Sequence, residues 1–219
     1  RKIWTLENRP SQEWWDQLTT DGTEVNEAWK EQADRIAGYL KQLKDANVPV
    51  LWRPYHEMNG VWFWWCNKKG DSGFKKLWIM MYDRYVSHHE LHNLIWVWNT
   101  NAPRLIPGDE AWPYEGFWPG LEYVDVLAAD VYRGDWQQPH HDDLRKLARG
   151  KPIAIGEMAP PPTPRSLAAQ PHWTWFMPWG NLVFWGRGAE QMKTLMEDDR
   201  VLSREDVTRD EDGTYRITR

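Results

Sequence analysis

The sequence predicts an α/β fold, a (β/α)8 TIM barrel present in part, and three observations predict it. Short apolar segments alternate with longer segments of helical period, the order expected of parallel βαβ units. Those apolar segments are nearly unbroken, as strands covered on both faces are. Polar and aromatic residues gather directly after them: Arg53 to Trp65, Asn99 to Pro103, Asp130 to Tyr132, Glu157 and Trp179. Such a barrel collects its chemistry at the C-terminal ends of its strands.

Taken in order, the elements are these. Thr23 to Lys44 reads as a helix, with Val25, Trp29, Ile36, Leu40 and Leu43 near one face and Thr23 as its N-cap. Val48 to Trp52 reads as a buried strand, its proline near the start, where a missing ladder donor is tolerated. A second amphipathic helix runs from Gly73 to Tyr85 through Phe74, Leu77, Trp78 and Met81. Leu94 to Trp98 and Val124 to Ala129 are the next two strands, followed by a short helix from about His141 to Ala148. Pro152 to Gly156 and Trp173 to Trp179 are the fourth and fifth strands, and Ala189 to Met196 is the last helix. Lys2 to Leu6 is a candidate sixth strand. Eight strands take ~250 residues, so five or six strands in 219 residues imply a barrel without its first two or three.

Composition narrows the function. Apolar residues make up 41% and charged residues 27%, and no apolar run is long enough to span a bilayer, so a membrane role is not expected. A net charge of −5 disfavours a nucleic-acid binder, which needs a basic surface to meet phosphates. Neither nucleotide-binding glycine pattern is present. The single cysteine, Cys66, leaves no disulfide and no zinc-type spacing. Tryptophan is the unusual count, at 18 residues. Indole offers a flat apolar face and a polar N–H edge, which suits stacking on sugar rings.

Two glutamates follow different strands and share one mouth of the barrel: Glu57 in Arg-Pro-Tyr-His-Glu and Glu157 in Ile-Ala-Ile-Gly-Glu. Glycosidic cleavage uses such a pair, one to protonate the leaving oxygen and one to attack carbon or activate water. An acid must keep its proton near neutral pH, which apolar burial favours. Glu57 has Trp52, Trp62, Phe63, Trp64 and Trp65 nearby in sequence.

The stretch Arg53-Pro54-Tyr55-His56-Glu57-Met58-Asn59-Gly60-Val61-Trp62-Phe63-Trp64-Trp65 resembles the acid/base segment of glycoside hydrolase family 26, the β-mannanase family, and Ile155-Gly156-Glu157 resembles its nucleophile strand. The similarity runs from about residue 20 to residue 207 and takes in Asp130-Val131-Tyr132 and Trp175 to Trp179. It implies a retaining endo-glycosidase acting on mannan, glucomannan or galactomannan, with Glu57 as acid/base and Glu157 as nucleophile. It further implies that Arg53 orients the carboxylates and that His56 bonds near the sugar and helps set Glu157. Trp62 would stack beside the scissile bond, and Tyr132 would donate to the nucleophile with Asp130 in support. Trp179 would floor the sugar being cleaved.

The implied organisation is one catalytic-domain segment over residues 1–219 with a polar tail from 203 to 219. The implied partner is a β-mannan or related polysaccharide, without metal or organic cofactor, and the implied location is extracellular. Two alternatives stay open: the same chemistry on β-1,3-xylan or mixed-linkage β-glucan, and a non-catalytic sugar-binding remnant. The histidines of Ser87 to His92 lie away from the strand mouths and read as structural, and His140-His141-Asp142-Asp143 reads as a helix cap with an acidic first turn.

Overall fold

In the computed structural model, residues 9–183 and 188–218 are described. The candidate strand at Lys2 to Leu6 falls outside them. Helix α1 (Gln12–Leu18) leads into α2 (Glu24–Asp45), whose N-cap is Thr23: its hydroxyl accepts from the Asn26 N–H at 3.2 Å. The buried face of α2 is Asn26, Trp29, Ala33, Ala37 and Leu40. This face is rotated from the expected one, and Ile36 and Leu43 are exposed. Two alanines one turn apart let α2 lie close to the core, and the buried Asn26 is tied to α1 by its side-chain NH2 group, which donates to Leu18 O at 2.8 Å.

Strand β1 (Val50–Trp52) precedes α3 (Phe74–Tyr82), which continues as a π-helical turn over Asp83–His88. All five residues expected on the inner face of that helix, Phe74, Leu77, Trp78, Met81 and Tyr85, are buried. Strand β2 (Leu94–Asn101) is followed by a hairpin of β3 (Arg104–Ile106) and β4 (Asp109–Ala111). Then come β5 (Val126–Tyr132), α4 (Gln138–Ala148), β6 (Ile153–Ala159), α5 (Pro164–Ala169) and β7 (Trp173–Pro178). Helices α6 (Gly180–Val183) and α7 (Gly188–Met196) follow, and β8 (Val207–Arg209) pairs with β9 (Tyr215–Ile217). The polar tail is exposed as expected, but it folds into this antiparallel hairpin rather than trailing.

Strands β1, β2, β5, β6 and β7 form one parallel sheet in that order, which with its helices makes a partial (β/α) barrel. The strands outlast their apolar runs: β2, β5 and β6 extend three residues beyond the expected ends, so that Asn99, Asn101, Asp130, Tyr132 and Glu157 lie within strands rather than after them. Polar residues sit there because the bent sheet turns them into a cleft instead of an apolar layer. β1 and β7, at the two ends of the sheet, are the exceptions to burial: neither has a buried residue, and β1, whose outer edge has no partner strand among the described residues, leaves Leu51 57% exposed. No helix among the described residues is long and apolar enough to cross a membrane.

Two histidine groups tie separate segments together. His89 Nε2 meets Asp34 at 2.7 Å, and Arg84 binds both oxygens of the same carboxylate, so the π-helical turn is tied to α2. His140 and His141 are not a cap. The helix begins at Gln138 with Gln137 as N-cap and no acid in its first turn, and both rings are buried. His140 lies between two backbone carbonyls, Asp135 O at 3.0 Å and Pro103 O at 3.1 Å, and so links the loops after β5 and β2.

Candidate active site

Glu57 sits on the segment leaving β1. That segment is strained: Tyr55 and Glu57 have φ of 49° and 56°, in the left-handed region that side chains occupy only when their surroundings over-determine it. The Glu57 N–H donates to Asn99 O at 2.7 Å. Its carbonyl accepts from the Gly60 N–H at 2.9 Å and from the Cys66 thiol at 3.1 Å. Burial pushes the pKa of that thiol up to about 12, which keeps Cys66 protonated as a donor.

Glu57 is 6% exposed. Asn101 Nδ2 donates to its Oε1, and Trp62 Nε1 donates to its Oε2 at 2.5 Å. Gly60 makes room for that indole, since a Cβ there would lie 2.4 Å from the Trp62 ring. Burial raises the Glu57 pKa above the usual carboxylate range, and the nearby charge of Glu157 adds to the rise. The two donors oppose it.

Glu157 faces Glu57 from β6. Arg53 Nη2 donates to its Oε1 at 2.6 Å, and the Tyr132 hydroxyl donates to Oε2 at 2.5 Å. His56 Nε2 lies 3.8 Å from the same Oε1. Burial first, and then Arg53, lowers the His56 pKa, so the ring is neutral near pH 7. Asp130, wholly buried, stands with the two glutamates, and one oxygen from each of the three lies within 4.8 Å of the others. Burial, and then the charges of Glu57 and Glu157, hold its pKa well above the carboxylate range. Neither Asp130 oxygen has a hydrogen-bond partner among the described residues, and Arg53 Nη1 approaches to 3.8 Å. Three clustered carboxyls could offer ligands to a cation, but here the guanidinium of Arg53 already faces two of them.

The strand register explains how these side chains meet. Asn101 pairs with Asp130, and Asp130 with Glu157, so all three share one face of the sheet. One step earlier Ala129 pairs with Ile155, which leaves Gly156 as the extra residue of a bulge in β6. Because of that residue Ile155 and Met158 both pack outward, against Leu195 and Val201, while Glu157 faces in. Gly156 has no space for a side chain: a Cβ would lie 1.7 Å from Asn99 Oδ1 and 2.6 Å from Asp130 Oδ1. Gly156→Ala is therefore expected to destabilise the fold by ~2 kcal/mol or more, read as a lower urea midpoint, with turnover falling as the carboxyls are pushed apart. An unchanged midpoint would mean that the strand has room here after all.

A cavity of about 520 Å³ opens beside Glu57, lined by Trp62, Asn101, Arg104, Asp109, Tyr132, Arg133, Ala159 and Pro160. Trp179 is not part of this lining. It is 46% exposed at the end of β7, and its N–H donates to Met158 O at 2.9 Å, which holds it near the Glu157 strand. The other aromatics expected around Glu57 lie elsewhere. Trp52 packs on Tyr85, and Trp64 packs on Trp14 and Tyr55. Trp65 donates to His56 O at 2.8 Å and stacks on Phe63. Trp15, Trp78, Trp96 and Trp98 are fully buried, so the tryptophan excess is in good part a packing feature of the core.

The sequence model of glycosyl hydrolase family 26 matches residues 10–206. The chain belongs to glycosyl hydrolase family 26. This family 26 chain is 38% identical over 215 residues to a mannan endo-1,4-beta-mannosidase of Thermothelomyces thermophilus, covering 89% of the chain and 42% of that protein. It matches the solved structure of GH26A from Muricauda sp. MAR_2010_75 at 52% identity and a TM-score of 0.88, over 92% of this chain and 66% of that one. It also matches a beta-mannanase from a symbiotic protist of the termite Reticulitermes speratus, complexed with gluco-manno-oligosaccharide. That match has 35% identity and a TM-score of 0.73, over 90% of this chain and 59% of that one. The chain thus spans about two fifths of the length of the curated relative and about two thirds of the Muricauda chain.

All eight residues singled out in the sequence lie at this mouth of the family 26 sheet, and all but Trp179 are joined to it by side-chain contacts. Others were not singled out: Asn99, Asn101, Arg104, Asp109 and Gly156. Asn99 and Asn101 lie in the polar stretch Asn99 to Pro103 that follows an apolar strand, and two residues apart in a strand they share a face.

Proposed function

We propose that this chain carries the catalytic centre of a retaining endo-β-1,4-mannanase acting on mannan, glucomannan or galactomannan. The observation that carries the proposal is the approach of Glu57 and Glu157, whose nearest oxygens lie within 4.8 Å. Retaining glycosidases hold their carboxyls ~5–5.5 Å apart, whereas inverting enzymes leave ~6.5–9.5 Å for a water. Glu57, buried and with a raised pKa, is the acid/base, and Glu157, facing Arg53 and Tyr132, is the nucleophile.

Arg53 and neutral His56 position Glu157, and Asp130 supports the pair from below. Trp62 offers its face to a sugar beside the scissile bond, and Trp179 floors the sugar being cleaved. The names of the Thermothelomyces and termite-protist relatives favour mannan as substrate. A polymer of that size is met outside the cell, so the proposed site of action is extracellular. The proposed whole fold is an eight-stranded (β/α) barrel, to which β1, β2, β5, β6 and β7 supply five strands within one catalytic segment.

The test is reducing-sugar release from glucomannan, galactomannan, β-1,3-xylan and lichenan, with the product anomer followed by NMR. Release from the two mannans with initial β-anomer is expected. Release confined to xylan or lichenan would move the substrate class, and an initial α-anomer would overturn the retaining mechanism. Binding without release would favour a sugar-binding role.

A further inference from the structure

The hairpin after β2 carries Arg104, and its contacts converge on the acid from two directions. Arg104 Nη1 donates to Asn101 Oδ1, and the other end of the same amide donates to Glu57 Oε1. Arginine has donors only. The Asn101 atom facing Arg104 must therefore be its oxygen, and the atom facing Glu57 its NH2 group. The guanidinium also lies 5.2 Å from the centre of the Trp62 ring, whose Nε1–H supplies the second donor to Glu57. Arg104 is itself fixed by a fork to Asp109, Nε to Oδ2 at 3.0 Å and Nη2 to Oδ1 at 2.5 Å, and Asp109 is held further by Arg133 at 2.8 Å.

We propose that Arg104 is the positioning residue for the acid: it fixes the sense of the Asn101 amide and the place of the Trp62 indole, and so sets both donors on Glu57. The proposal rests on the reading of Glu57 as acid/base. Both donors favour the ionised carboxylate. Without Arg104, the Asn101 amide is free to turn and accept the Glu57 proton through its oxygen, which favours the neutral acid. The other charged or titratable groups around Glu57 stay in place: His56 and Arg53 from the β1 segment, Asp130, Tyr132 and Arg133 from the end of β5, Glu157 from β6, Asp109 on the hairpin, and the Cys66 thiol.

The experiment is the pH profile of kcat/KM on glucomannan for wild type, Arg104→Met, Arg104→Lys and Asp109→Asn, each checked for folding by its melting curve. Arg104→Met is expected to move the alkaline limb upward by ~1 pH unit and to lower kcat by ~10²-fold. It should form the glycosyl-enzyme at near wild-type rate from a dinitrophenyl glycoside, whose leaving group needs no acid. Arg104→Lys keeps a donor at Asn101 and is expected to restore the limb in part, so the inference remains testable if the methionine variant does not fold. Asp109→Asn loosens the hairpin but leaves Arg104 beside Asn101. Removing that negative charge moves the limb down or not at all. An unmoved limb in Arg104→Met, with activity lost equally on both substrates, would reduce Arg104 to a strut and overturn the inference. Unchanged turnover of glucomannan in Glu57→Ala would instead overturn the reading of Glu57 as the acid, whatever Arg104 does.

Discussion

Glu157→Ala is expected to abolish turnover of every glycan substrate by at least ~10⁴-fold, and added azide is expected to restore it with an α-glycosyl azide as product. Glu157 stands opposite Glu57, with Arg53 at 2.6 Å and the Tyr132 hydroxyl at 2.5 Å holding its two oxygens. Alanine removes the nucleophile and leaves a space on the face from which it attacks. Azide entering that space reaches the anomeric carbon from the α side while Glu57 still protonates the leaving oxygen, so one displacement replaces two and configuration inverts. NMR of the rescued product reads the result directly. A β-azide would place the nucleophile elsewhere, and full activity without azide would remove Glu157 from the chemistry.

Glu57→Ala is expected to lower turnover of polysaccharide by ~10²–10⁴-fold, with little effect on the first step for a dinitrophenyl glycoside. Here azide should yield the opposite anomer, the β-azide, because it attacks the glycosyl-enzyme and not the substrate. The pH dependence follows from the charges. Burial is the main cause holding Glu57 above the usual carboxylate range, and the charge of Glu157 contributes. A raised pKa keeps the acid protonated to higher pH, so activity falls on the alkaline side as Glu57 loses its proton, and Glu57→Ala is expected to lose that limb. Once Glu157 is esterified by the sugar its charge is gone, the Glu57 pKa falls, and the same carboxyl becomes the base that activates water. An alkaline limb retained in Glu57→Ala would assign it to another group.

The sequence made the sheet legible because its apolar strands are short, separate and followed by polar residues. It also made the two glutamates legible, since each follows a strand and both strands open at one mouth. It did not give the ends of the strands: β2, β5 and β6 run on through Asn99, Asp130 and Glu157, where hydropathy says the strand has stopped. A polar residue in a cleft and a polar residue in a loop look alike in one dimension. The tryptophans misled for a related reason. Trp15 and Trp78 satisfy their indole N–H groups on backbone carbonyls of Ser72 and Tyr123, so they are core residues and not sugar platforms. Composition counts rings but does not say which way they face. Arg104 was beyond reach because its partners, Asn101, Asp109 and Trp62, meet only when the hairpin folds back over the end of β2.

The extra residue at Gly156 sets the parity of the strand that carries the nucleophile. With Ile155 and Met158 packed on Leu195 and Val201, a chain paired one residue out of step would turn Glu157 into that oily layer and lift an isoleucine or a methionine into the cleft. The misaligned form would bury a charge without a partner and lose apolar packing at once. Folding and chemistry thus read the same alignment. A molecule that has settled its outer layer has already aimed its nucleophile, and the wrongly aimed alignment is the costlier of the two.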